Sequence, residues 1–179
     1  MLTADFSRLP MSSGSLVLDA GCGTGRHACE AYRWKDVGVV AVDMNLDDLR
    51  RATYTLYTMD GDGSGKGSFW GTSITDITAL PFEDSCFDVV ICSEVLEHIP
   101  ENRKAIRELV RVLKPGKEMV VTVPRYLPER ICWSLSREYH NEPGGHIRIY
   151  RKRQLLGMLE EAGLRCYRVE YRHALHSPY

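Results

Sequence analysis

The residues with the clearest chemical purpose are Asp19-Ala20-Gly21-Cys22-Gly23-Thr24-Gly25, three alternating glycines behind the apolar run Leu16-Val17-Leu18. A chain that turns tightly and lies against a ligand needs positions without a Cβ. A helix start behind such a turn offers unpaired N–H groups to a carboxylate or phosphate. Gly23-Thr24-Gly25-Arg26-His27-Ala28 also matches the dinucleotide pattern G-x-G-x-x-A, and Asp43 lies twenty positions after Gly23. A carboxylate there would accept hydrogen bonds from ribose hydroxyls. Loop and acid together specify an adenosine-containing cofactor. They leave a nicotinamide dinucleotide and other nucleoside cofactors equally open.

Four side chains are candidates for a general base: Glu94, His98, His140 and His146. Glu94 and His98 are four apart, so a helix after the fourth strand would place them on one face. His98 reads more simply as a structural or capping residue. His146, within Gly144-Gly145-His146-Ile147-Arg148, is either a substrate contact or an exposed loop histidine. No catalytic role is assigned to any of them. Asp60-x-Asp62-x-Ser64-Gly65 imitates a calcium loop, but its twelfth position is Gly71 where a bidentate glutamate is required. The six cysteines, at positions 22, 29, 86, 92, 132 and 166, form no C-x-x-C. Neither a metal site nor a disulfide framework is expected, and a reducing, cytoplasmic setting fits.

Alternating strands and helices must position these residues, which predicts an α/β domain with a mostly parallel, doubly wound sheet covered on both faces. Strands are expected at 16–19, 37–42, 69–73, 87–92, 118–123 and 164–171. Helices are expected at 24–34, from Asn45 to about Met59, briefly near Val95, from Pro100 to Leu113, and around Leu155–Ala162. Asn45 is the N-cap of the second helix, with Leu46, Leu49, Thr53 and Leu56 at helical spacing. Residues 125–150 read as irregular and as a cover over the site, with 14–124 as the cofactor-binding core and 151–171 as a closing helix and strand. The whole chain, 1–179, is read as one domain.

Five ordered blocks resemble the class I S-adenosylmethionine-dependent methyltransferases, and most closely the group that includes the quinone-biosynthesis methyltransferases. The blocks are the glycine loop, Asp43, Asp76-Ile77 with Leu80-Pro81-Phe82, Phe87-Asp88 through Glu94-Val95-Leu96-Glu97-His98, and Leu113-Lys114-Pro115-Gly116. The resemblance implies S-adenosylmethionine as cofactor and a role for each matching position. The backbone at Gly21, Cys22, Gly23 and Gly25 would hold the methionine end, with Asp19 placing its ammonium group. Asp43 would take the ribose hydroxyls and Met44 would lie against adenine. Asp76 would accept from the adenine amino group, the Ile77 N–H would meet a ring nitrogen, and Ser93 would lie near the methyl. Sheets of this family have seven strands, the last inserted between the fifth and sixth. The sequence ends soon after its sixth, which predicts an exposed strand-six edge open to self-association or to the tail.

Composition sets outer bounds. With 179 residues, 44% hydrophobic and 26% charged, the chain can bury one core. A net charge of −1 disfavours a general nucleic-acid binder. The stretch from Arg125 onward carries 10 Lys/Arg against 6 Asp/Glu, and Arg148, Arg151, Lys152 and Arg153 could meet a phosphate, a lipid headgroup or RNA; a solvated helix start is the plainer reading. Ile131, Trp133 and Leu135 could line an apolar pocket or make peripheral membrane contact, with packing on the sheet the plainer alternative. No membrane-spanning run or signal peptide is recognisable. The function expected is methyl transfer to a small-molecule acceptor, such as an apolar quinone or lipid precursor. The alternatives are a methyltransferase for RNA or protein, and a NAD-dependent oxidoreductase or non-catalytic nucleoside-binding module.

Overall fold

The computed structural model describes residues 2–135 and 145–171. Strands β1 (Leu16–Ala20), β2 (Gly38–Asp43), β3 (Phe69–Ile74), β4 (Phe87–Ser93) and β5 (Leu113–Thr122) form one sheet in the order β3-β2-β1-β4-β5. Every pairing is parallel. The order reverses beside β1, whose neighbours are β2 and β4, so a crevice opens above the carboxyl ends of these strands. All seven residues of β4 are buried, as a central strand covered on both faces requires.

Alternation along each strand divides the core into two layers. Val17, Val39, Ala41, Val89 and Ile91 pack with Ala28 and Ala31 of α1 (Arg26–Tyr32) and Leu49, Ala52 and Leu56 of α2 (Leu46–Gly61). Phe6, Leu9 and Met11 of the N-terminal segment complete that layer. Their neighbours Leu18, Ala20, Val42, Val90 and Cys92 face the other way, toward Ile106 and Leu109 of α3 (Asn102–Val112). A helix α4 (Tyr126–Leu135) follows β5, and α5 (Lys152–Glu161) adds Leu155, Met158 and Leu159 to the second layer. Asn45 caps α2 as expected, its side chain accepting from the N–H groups of Asp47 and Asp48 at 3.0 and 3.2 Å. Leu46, though in phase, is exposed, and Ala52 and Met59 fill the buried face instead.

Four expectations are corrected. The region from 125 is not wholly irregular, because Tyr126–Leu135 is helical. The expected short helix near Val95 is a tight turn, with the N–H groups of His98 and Ile99 reaching back to the carbonyls of Val95 and Leu96. Among the described residues strand six is not formed: the sheet has five strands and residues 164–171 join no ladder. A strand exists through its neighbour's hydrogen bonds. Here residues 164–171 and β5 both line a groove of about 1230 Å3. Among the described residues, the sheet edge on that side belongs to β5. β5 also starts earlier than residue 118. Its register jumps from Phe87↔Leu113 to Val89↔Glu118, so Lys114-Pro115-Gly116-Lys117 bulges out within the strand.

Candidate functional site

The glycine loop sits at the top of β1, held by the β2 carbonyl of Val42, which accepts from the N–H groups of Gly21 (2.8 Å) and Cys22 (2.9 Å). Gly21, Gly23 and Gly25 all have positive φ, at 73°, 52° and 81°. The last two serve different ends. A Cβ on Gly25 would stand 2.7 Å from the Ala52 Cβ, so this glycine lets α1 lie close against α2. A Cβ on Gly23 would meet nothing within 4 Å, which leaves the crevice above it clear.

Asp43, at the end of β2, accepts from the Gly23 N–H at 2.7 Å with one oxygen and from the Asn45 N–H at 2.8 Å with the other. It therefore fixes the loop as well as facing the crevice, a role that spacing alone did not reveal. A carboxylate can accept further hydrogen bonds beyond these two. Asp19 is fully buried beneath the loop. Its Oδ2 accepts from the Ala28 N–H at 2.9 Å, while its Oδ1 has no partner. Burial, and more weakly the Asp43 charge, push its carboxyl up to about 7. Burial, and then the Asp19 charge, push the thiol of neighbouring Cys22 strongly upward.

The remaining cofactor candidates surround the same crevice. Met44 is 63% exposed at its rim. Asp43 pairs in register with Ile74, so Asp76 and Ile77 come just beyond the neighbouring strand end. Asp76 is exposed and its Oδ1 caps the Thr78 N–H at 2.8 Å; Ile77 is buried. Ser93, at the end of β4, bonds Thr122 at 2.8 Å and Thr3 at 2.5 Å. Thr3 also meets the Nε2 of His27, a buried ring whose pKa falls to about 4 through desolvation and the nearby Arg26 charge. The N-terminal segment thus crosses the β4 end of the crevice. Sequence reasoning missed this, although the spaced apolar residues Phe6, Leu9 and Met11 were a signal that the segment packs.

The base candidates divide. Glu94 has a positive φ of 56°, an unusual conformation for a residue with a side chain, and its Oε1 accepts from the Thr122 hydroxyl at 3.0 Å. His98 points elsewhere, its Nδ1 3.2 Å from the Gly145 carbonyl and its ring edge-to-face with His146 at 4.8 Å. Because residues 95–97 turn instead of coiling, Glu94 and His98 do not share a face. His146 is not a free loop histidine: its Nδ1 lies 2.5 Å from Glu129 of α4, and its Nε2 lies 3.9 Å from Glu97. Glu97 is fully buried and neither carboxylate oxygen has a hydrogen-bond partner. Burial, then the charges of Glu94 and Glu129, push its carboxyl up to about 8. His140 and the side chains of Ile131 and Leu135 lie outside the described residues, and Trp133 is half-buried.

A methyltransferase-domain family model matches residues 11–163. The chain belongs to that family. It is 30% identical over 87% of its length to a 27-O-demethylrifamycin SV methyltransferase of Amycolatopsis mediterranei, covering 56% of that protein. It is 36% identical over 60% of its length to a demethylmenaquinone methyltransferase of Renibacterium salmoninarum, covering 40% of that protein. A solved methyltransferase structure from Bacillus halodurans superposes with a TM-score of 0.69 at 25% identity, covering 88% of this chain and 65% of that one. The chain spans about half the length of the curated relatives it matches. The family assignment makes S-adenosylmethionine the cofactor and sets the nicotinamide reading aside. No helix among the described residues is long and apolar enough to cross a membrane.

Proposed function

We propose that the chain catalyses methyl transfer from S-adenosylmethionine to a small, largely apolar acceptor. The observation that carries this reading is Asp19 Oδ1, a buried acceptor without a partner at the floor of a crevice that Gly23 leaves clear. An ammonium group would supply the missing hydrogen bond and charge. Asp43, already oriented by two backbone N–H groups, would accept from the ribose hydroxyls. Met44 would cover the adenine, and Asp76 and the Ile77 N–H would read its edge. The N–H groups at Gly21, Cys22, Gly23 and Gly25 would border the methionine end, and Ser93 would lie close to the methyl-bearing side.

The cofactor supplies an activated methyl on a positively charged sulfur, and the protein's task is to align the acceptor and exclude water. Glu94, in its strained conformation beside Thr122, and the N-terminal segment at Thr3 border the place where an acceptor would approach. Glu94 is therefore the proposed base where the acceptor atom carries a proton, with its hydroxyl proton passing to Oε1 as the methyl arrives. The small-molecule reading is supported by the names of the relatives, which specify demethylrifamycin and demethylmenaquinone. A methyltransferase for RNA or protein has less support. Arg148 donates to the carbonyls of Ile99 and Pro100 at 2.6 and 2.9 Å, and Arg151 bonds and stacks on Tyr126. Two of the four cations in that basic run are thus turned onto the protein itself.

Thermal-shift titration with S-adenosylhomocysteine, S-adenosylmethionine and NAD tests the cofactor, with stabilisation by the first two expected and stabilisation by NAD alone refuting it. A labelled-methyl assay on small-molecule extracts and on total RNA tests the acceptor class. Label in the small-molecule fraction supports the proposal, and label confined to RNA overturns it.

A further inference from the structure

Residues 145–150 are fastened onto the turn that follows β4. The Ile147 N–H donates to the Glu97 carbonyl at 3.0 Å, Arg148 holds the Ile99 and Pro100 carbonyls, and the Tyr150 hydroxyl donates to the Leu96 carbonyl at 3.1 Å. This docking brings His146 over Glu97 and His98, so that one ligand atom from each lies within 4.8 Å of the others. The protonation pattern of the rings follows from their partners. The Gly145 carbonyl can only accept, so His98 Nδ1 carries the hydrogen and Nε2 carries the lone pair. With its Nδ1 2.5 Å from Glu129, His146 leaves Nε2 as the ring nitrogen on the side of Glu97, 3.9 Å away.

We propose that Glu97, His98 and His146 form a binding site for a divalent transition-metal ion of the zinc class, with Glu129 as the outer carboxylate that orients His146. Two imidazoles and a carboxylate suit such an ion better than calcium or magnesium, which prefer all-oxygen sets. A carboxylate behind a ligating histidine, as Glu129 stands behind His146, is the usual outer arrangement of such sites. The independent mark of a ligand is Glu97 itself, fully buried with no hydrogen-bond partner for either oxygen. Ligands of a tetrahedral ion stand roughly 3.4 Å apart, so the three side chains would draw in by roughly 1 Å on binding. Water would complete the coordination. No C-x-x-C or H-x-x-x-H spacing announces the site, because its residues come from one turn and one distant segment. The proposal stands apart from methyl transfer and does not depend on it.

The test is a titration of chelator-stripped protein with Zn2+ against a chromogenic competitor, repeated with Co2+ to read its visible absorption. One ion per chain is expected. His146→Ala and His98→Gln each remove a nitrogen ligand and should weaken Zn2+ by about 100-fold and change the Co2+ band. Glu129→Gln should weaken it by about 10- to 100-fold with the band retained, as loss of an outer-shell partner does. Asp62→Asn, in the loop that imitates a calcium site, should change nothing. Circular dichroism confirms folding, and His98→Gln and Glu129→Gln carry the test if His146→Ala does not fold. Absence of Zn2+ binding by the wild type, or equal binding by folded wild type and variants, overturns the proposal.

Discussion

The two halves of the sheet are built on different principles. On the β1–β2–β3 side, the candidate residues bond partners beside the ends of neighbouring strands, at most twenty positions away along the chain. Asp43 grips Gly23 and Asn45, and Asp19 sits beneath the start of α1 at Ala28. On the β4–β5 side the arrangement depends on partners far along the chain. His146 meets Glu97, Thr3 meets Ser93, and Tyr167 bonds Glu118 of β5 although residues 164–171 join no ladder. On the proposed reading, the first half is a preformed cradle for the cofactor. The second, assembled from separate segments, would receive the acceptor.

This contrast predicts where substitutions will matter and what they will change. The largest effect is expected from Gly25→Val, which combines a φ of 81° with a 2.7 Å approach to Ala52. Strain and overpacking together should cost about 3 kcal/mol of folding stability, measured by urea unfolding. A loss below about 1 kcal/mol would show that the α1–α2 contact is looser than described. Asp43→Ala removes the acceptor for two loop N–H groups and should weaken S-adenosylhomocysteine by about 100-fold in calorimetry while the protein stays folded. Unchanged affinity would break the claim that this half is the cradle.

Arg148→Ala sharpens the comparison from the other side. It releases two carbonyls after β4 and should cost about 1–2 kcal/mol in stability. Homocysteine-cofactor affinity should stay within about two-fold of wild type, since the cradle does not use this residue. A large loss of cofactor binding would mean that the halves are coupled.

The same contrast governs what the sequence disclosed. The glycine loop, Asp43, the Asn45 cap and the buried β4 were legible because their cause is local: a backbone turn, an N-cap, an apolar run. Strand six was misread because the apolar residues of 164–171 state a preference but cannot supply a neighbour to pair with. The helix Tyr126–Leu135 was missed with Pro128 near its start, a position where proline is in fact tolerated. The Glu97–His98–His146 cluster was invisible as a unit because only the docking of 145–150 creates it. Even within the cradle, Asp19 was named from resemblance, and only the structure showed its unpartnered oxygen.

That oxygen also gives a pH signature. A carboxyl whose folded pKa is raised from 3.8 to about 7 binds its proton more tightly folded than unfolded. The ligand-free protein therefore loses stability as pH rises between those values, and the full penalty is present above about 7. An ammonium group at Asp19 favours the ionised form, so cofactor binding releases this proton. Asp19→Asn should remove both effects and lower affinity at neutral pH by about ten-fold.

The most direct measurement is calorimetric titration of S-adenosylhomocysteine into wild-type protein and Asp19→Asn from about pH 5 to about pH 8. Binding by the wild type should strengthen with pH, level off above about 7, and do neither in the variant. No binding at any pH, or identical affinity and pH dependence in the two proteins, would contradict a cofactor seated over Asp19.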